Sequence, residues 1–143
     1  MSFTADLSRA VESRKDRMGT IVRKVVIDIG ARVVMRSPVG DPSIWVSPPP
    51  AGYAGGRFRA NWQYGFNAAP VGDLPDIDPS GEASNKRIRI GVTAAPVAGM
   101  HYIANNLPYA TRLERGHSSQ APSGMVGLTL IEYRGIVGEA ARA

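Results

Sequence analysis

The chain has 143 residues, 43% of them hydrophobic and 20% charged, with no cysteine and a net charge of +5. That length suits one domain rather than two separate cores, so residues 1–143 are read as a single unit. The lack of cysteine excludes disulfide scaffolds, thiolate zinc sites, iron–sulfur clusters and cysteine nucleophiles. No apolar run approaches the ~18 residues of a membrane-spanning helix. The Met1–Asp6 opening lacks the basic and apolar regions of a secretory signal, so the chain is expected to stay in the compartment where it is made.

Residues 3–36 contain no proline and space Leu7, Val11, Arg14, Met18, Ile21, Val22, Val25, Ile29 and Val33 three or four apart, the period of one helical face. A long helix over residues 4–36 is predicted. Thr4 is its expected cap, Asp6 sits where the helix dipole favours an anion, Arg32 and Arg36 sit where it favours cations, and Ser37-Pro38 ends it. Gly19 and Gly30 each cost about 1 kcal/mol relative to alanine inside a helix, which makes them the expected points of bending. The stretch from Ile21 to Val34 is the expected buried half, and the apolar seam packs either in its own core or against a neighbouring subunit. Residues 1–36 carry eight basic residues (Arg9, Arg14, Lys15, Arg17, Arg23, Lys24, Arg32, Arg36) against four acidic ones (Asp6, Glu12, Asp16, Asp28), while the rest of the chain carries nine against eight. Interspersed signs of this kind describe a solvated helix face, the alternative being a basic face that binds nucleic acid.

From Gly40 to Gly56 the chain holds four prolines and four glycines, which argue against helix or central strand and for a long proline-rich loop. Ile44, Trp45, Val46 and Tyr53 are too bulky to stay solvated and should dock on their own domain or on a partner. Residues 57–66 alternate Phe58, Ala60, Trp62 and Tyr64 with Arg57, Arg59, Asn61 and Gln63, the pattern of a half-buried strand with the arginines on its outer face. Residues 68–84 read as an acidic surface loop carrying Asp73, Asp76, Asp78 and Glu82. Residues 86–93 alternate Ile88, Ile90 and Val92 with Arg87, Arg89 and Gly91 and read as a second strand, antiparallel to the first. His101–Leu107 suggests a third strand, Tyr109–Glu114 a brief helical or extended stretch ended by Gly116, and Pro122–Ala141 a last helix with Pro122 in its first turn. The sum is an α+β domain: a long N-terminal helix and a C-terminal helix packed on a small antiparallel sheet.

Searches for chemistry return little. Phosphate-binding, dinucleotide, zinc-protease and hydrolase motifs are missing from the sequence, and Asp73, Asp76 and Asp78 lack the spacing of a calcium loop. Glu114 and His117, with His101, have a spacing too common to mark a metal site. Ser118 and Ser119 beside His117 have no identifiable orienting acid. The expectation is a protein with no enzymatic activity, metal or cofactor.

Three stretches do form a pattern: Ser37-Pro38-Val39 after the long helix, Gly56-Arg57-Phe58-Arg59-Ala60-Asn61-Trp62, and Pro108-Tyr109-Ala110-Thr111-Arg112-Leu113-Glu114-Arg115-Gly116. Together they resemble the neck or tail-completion (head-to-tail joining) proteins of long-tailed bacteriophages, which carry an sPVdTGxLrxsW stretch and a YAxxLExG stretch. The order matches along almost the whole chain, and Gln120–Val126 fits the family's approach to its last helix. Gly40–Gly55 is a departure, because the family runs from PV almost directly into its TG segment. The resemblance implies a minor structural protein of the virion, made in the host cytoplasm and working at the head–tail interface. There it forms a homo-oligomeric ring, six copies by family likeness, between a head-side connector (head-closure) protein and the tail terminator. Contact with packaged DNA in the lumen is compatible with it, and no membrane is involved. Trp45, Tyr53, Arg57, Arg59, Tyr109, Glu114 and Gly116 are the expected subunit or partner contacts, with Phe58 and Trp62 in the core. Tyr109, Glu114 and Gly116 suit a tight turn locked by a side-chain-to-backbone bond, serving either the domain itself or an interface.

Overall fold

The computed structural model describes residues 2–143, except for the Ile44 side chain. Helix α1 (Phe3–Arg36) is its spine, roughly 51 Å long at 1.5 Å per residue. Ser2 caps it in place of Thr4: Ser2 is extended and its Oγ accepts from the Ala5 amide at 3.2 Å, whereas Thr4 already lies inside the helix. Gly19 and Gly30 do not interrupt the helix. Both sit at close crossings, where a Cβ would come within 3.1 Å of Val97 Cγ2 and 2.9 Å of Ile88 Cγ2 respectively, so tight packing offsets the cost of glycine. The half from Ile21 onward is buried or half-buried apart from Met35 and holds Val25, Val33 and Val34 in the core, while every residue from Phe3 to Met18 is exposed.

After a 3₁₀ turn (Pro42–Ile44) come α2 (Arg57–Ala60), β1 (Trp62–Phe66), α3 (Glu82–Ala94), β2 (His101–Asn105), α4 (Ala110–Glu114), α5 (Val126–Ile131) and α6 (Tyr133–Arg142). Strands β1 and β2 pair antiparallel, Trp62 opposite Asn105 and Phe66 opposite His101. One core gathers Val33, Val34, Phe58, Trp62, Ile88, Val92, Leu107, Ala121 and Met125. A second, along α1, joins Val25 to Ile136 and Ala140. The α+β class with its long first helix, C-terminal helices and small antiparallel sheet is as expected.

Three local expectations fail. Residues 86–93 are helical, not a strand, and the partner of β1 is β2. Ser84, Ile88 and Val92 are buried at four-residue spacing while Ile90 is 57% exposed, which is the burial of one helix face rather than one strand face. Asp78 fixes where that helix begins: its carboxylate accepts from the Ser84 amide (2.8 Å), the Ser84 hydroxyl (2.7 Å) and the Gly81 amide (3.1 Å). Asp78 is therefore buried and not a solvated loop residue. Burial pushes its carboxyl up, but the Ser84, Gly81 and Ser80 donors outweigh that and hold it below the ordinary value. Second, the strand predicted over 57–66 begins only at Trp62, because residues 57–60 form a helical turn whose end Asn61 fastens by donating to Arg57 O at 2.8 Å. Third, the last helix is two helices joined at Glu132, with Pro122 outside both. Glu132 sits at that elbow because Arg32 and Arg36 of α1 both pair with it.

Candidate functional site

The stretches 37–39, 56–62 and 108–116 lie far apart in sequence and meet in space. Ser37 Oγ donates to Val33 O at 2.6 Å and accepts from Trp62 Nε1 at 2.6 Å, so the residue that ends α1 also satisfies the one polar group of a buried tryptophan. Arg59 donates to Met35 O (3.2 Å) and Ser37 O (2.7 Å), carbonyls left open where α1 ends, and also to Pro79 O (2.6 Å) in the loop before α3. Phe58 meets Trp62 edge to face at 6.0 Å between ring centres and lies tilted against Tyr109 at 5.9 Å. Asn105 of β2 donates to Phe58 O at 2.9 Å.

Behind Tyr109, Glu114 accepts from the amides of Met125 (3.0 Å), Val126 (2.8 Å) and Gly127 (3.1 Å). These are the unpaired donors at the start of α5, where a carboxylate is favoured twice over, by hydrogen bonding and by the helix dipole. Burial raises the Glu114 carboxyl, yet the three amides prevail and its pKa lies below the ordinary value. Gly116 has φ +88, and a Cβ there would sit 2.4 Å from Pro122 O. Glu114 does not close the Tyr109–Gly116 turn on itself but forms a carboxylate-to-amide clamp, 11 to 13 residues along the chain, that draws α4 and α5 together.

In front of this frame lies a groove of about 630 Å³. Its walls are Pro38–Asp41, the loop carrying Trp45 and Tyr53, Arg57 and Phe58, Pro75 and Ile77, and Tyr109 and Leu113. The proline-rich loop forms one wall because it is closed on itself. Trp45 and Tyr53 stack at 4.7 Å, and a Cβ on Gly40 would fall 1.8 Å from the Tyr53 hydroxyl. A Cβ on Gly55 would fall 2.2 Å from Gly40 O, so the two ends of the loop touch, as in an Ω-loop. Gln120 fixes the neighbouring chain by accepting from Val39 N (3.0 Å) and donating to Val39 O (2.8 Å). Trp45 remains 41% exposed and Tyr53 and Tyr109 37% each, while Val46 does not dock at all. Burial raises the Tyr109 pKa, with Arg57 opposing and Tyr53 adding to the rise. Arg57 in turn is paired with Asp73 at 2.6 Å.

Of the seven expected contact residues, Trp45, Tyr53, Arg57 and Tyr109 line this one groove. Arg59, Glu114 and Gly116 stand behind it as its frame. Arg59 is not on an outer strand face: it belongs to α2 and its guanidinium is committed to main-chain carbonyls. Pro38, Leu113 and Gln120 belong to stretches noted in the sequence but were not expected as contacts, and Ile77 lies in no motif at all. Both oxygens of Glu114 are engaged by amides, and His101 lies between the Tyr64 hydroxyl (2.6 Å) and Val97 O (3.0 Å), so the spacing of these residues in sequence brings them to different tasks. Among the described residues no three His, Asp or Glu side chains gather as metal ligands. Among the described residues no helix is long and apolar enough to cross a membrane. Chemically the groove can receive an apolar segment flanked by charge. No family model matches the chain, and neither does any curated protein or solved structure.

Proposed function

We propose that this chain is a structural subunit of the neck of a long-tailed phage, closing into a ring that joins the DNA-filled head to the tail and working by surface matching without catalysis. The observation that carries the proposal is the convergence of stretches 37–39, 56–62 and 108–116, the residues on which the family resemblance rests, into one bonded frame around one groove. A rigid frame presenting an aromatic groove suits a subunit that must hold neighbours in fixed geometry. A nucleic-acid-binding role for the first helix has less support. Seven of its eight basic side chains already have partners: Arg9 with Asp6, Lys15 with Glu12, Lys24 with Asp28, Arg32 and Arg36 with Glu132, Arg17 with Ala141 O and Arg23 with Ala95 O. Five of the eight are paired with carboxylates, which leaves less of the segment's positive charge free to neutralise phosphates.

The ring would stand between a head-side connector protein and the tail terminator, with six copies by family likeness. Native mass spectrometry of the purified chain, alone and with those two neighbours, tests this. A closed homo-oligomer that takes up both is expected. A strictly monomeric chain that binds DNA with a steep salt dependence would replace the proposal with the nucleic-acid role.

A further inference from the structure

The first four turns of α1 have no cover beyond the bond from Arg17 to Ala141 O. Every residue from Phe3 to Met18 is exposed, yet Phe3, Leu7, Val11 and Met18 form an apolar stripe along one side, 79%, 51%, 42% and 64% accessible. A helix of this length is marginal by itself in water, and its stability in proteins comes from burying such a stripe. The groove beside Trp45, Tyr53, Ile77 and Tyr109 is the matching concave surface, and it opens at the far end of the same helix, directly after Arg36. Leu7 and Arg36 are separated by roughly 45 Å of unbroken helix. The arm therefore cannot reach the groove of its own chain.

We infer that residues 3–18 of α1 insert into the Trp45–Tyr53–Tyr109 groove of a second copy of this chain. The inference deepens the ring proposal and rests on it. Charge favours this occupant. Arg14, on the apolar stripe, is the one basic residue of α1 without a partner among the described residues. Asp41, on the groove wall, is exposed, and its carboxylate is held only by the Ser43 amide and hydroxyl among the described residues. Size favours it too: an arm about 24 Å long and ~10 Å wide, laid in a groove, buries on the order of 1,000 Å² in total, near the lower bound for a specific interface. Each subunit gives an arm at one end and a groove at the other, so the contact is head-to-tail, the kind that generates a ring where the rotation between copies closes. Laying the apolar anchors at positions i, i+4 and i+8 into a groove is the usual way one helix is recognised by another surface.

The absence of cysteine from the sequence makes the test direct. Chains carrying Leu7→Cys, Ile77→Cys or both are treated with a short bis-maleimide and resolved under denaturing conditions, with native mass spectrometry run in parallel. The double variant should give a ladder of covalent multimers and each single variant almost none. Val11→Arg, at an exposed position that leaves the fold intact, should reduce the ladder at least tenfold. Dimers from Leu7→Cys alone would mean that arms pair with each other and would overturn the inference. Rings that persist in Val11→Arg, or that form without cross-linking in the double variant, would overturn the arm and leave the ring standing. A wild-type chain that stays monomeric with no ladder would overturn both.

Discussion

Glu114→Ala would remove one carboxylate and strand three amides at the start of α5. Their fates differ. Val126 and Gly127 are exposed and their amides can turn to water, but Met125 is only 1% exposed. A buried donor left unpaired costs about 1–3 kcal/mol, and loss of a helix-capping acceptor costs about 0.5–2 kcal/mol. These two costs overlap, so about 2–3 kcal/mol of lost stability is expected for alanine, and about 1 kcal/mol for Glu114→Gln, which keeps an acceptor oxygen and loses the charge. With a urea m-value of ~2 kcal/mol/M, alanine should lower the unfolding midpoint by about 1–1.5 M. The pH dependence follows from the depressed pKa. Such a group contributes stability that is fully present above its unfolded pKa and lost as pH falls through its folded one. The gap between wild type and Glu114→Ala should therefore be widest near neutrality and narrow in acid, below the ordinary glutamate value. A gap under ~0.5 kcal/mol, or one that does not change between neutral and strongly acidic pH, would refute the clamp.

Other changes probe the frame and the surface separately. Ser37→Ala deprives the buried Trp62 Nε1 of its acceptor and should cost about 1–3 kcal/mol in guanidinium unfolding. Gly116→Val forces a β-branched side chain into φ +88 against Pro122 O, so a loss of about 1–3 kcal/mol should appear as a lowered melting temperature. His117→Ala should be neutral within ~0.5 kcal/mol and leave the oligomer distribution in native mass spectrometry unchanged.

Legibility in the sequence followed the length of the signal. Helix α1 could be read because its three-to-four spacing runs without proline for more than thirty residues and no strand pattern competes over that span. The segment around Ile88 was ambiguous in a way α1 was not: Ile88, Ile90 and Val92 satisfy a period of two, while Ser84, Ile88 and Val92 satisfy a period of four. The deciding contact is the Asp78 carboxylate on Ser84, six residues away. Nothing at the start of this helix except Glu82, an acid in its first turn, marks it in the sequence, because Gly81 has no side chain to cap with. The strand at His101 and the turn at Gly116 were legible, but which strands pair was not, since pairing is decided by the helix lying between them. The groove was illegible as a whole: its walls come from separate segments, and although Trp45, Tyr53, Arg57 and Tyr109 were singled out one by one, nothing in one dimension joins them to Ile77.

The frame and the proline-rich loop divide their labour, and a deletion can separate the two. Ser37, Arg59, Trp62, Glu114 and Gly116 brace the frame, whereas Trp45 and Tyr53, which belong to no motif, present a wall of the groove. Because Gly40 and Gly55 already touch, removing residues 42–53 can be bridged without moving either end. Reducing residues 40–55 to about a quarter of their length lowers the closure cost by about 1.2 kcal/mol, at ~0.6 kcal/mol per halving. Lost packing of the Tyr53 ring over Gly40 opposes that gain. The core clusters contain no residue from 42–53, so the shortened chain should unfold in urea within about 1 kcal/mol of wild type. Assembly should nonetheless fail, since half of the aromatic surface that receives the neighbouring arm is gone. Native mass spectrometry at matched concentration decides the matter: a shortened chain that assembles as well as wild type would move the interface elsewhere, and one that unfolds would make the loop part of the frame.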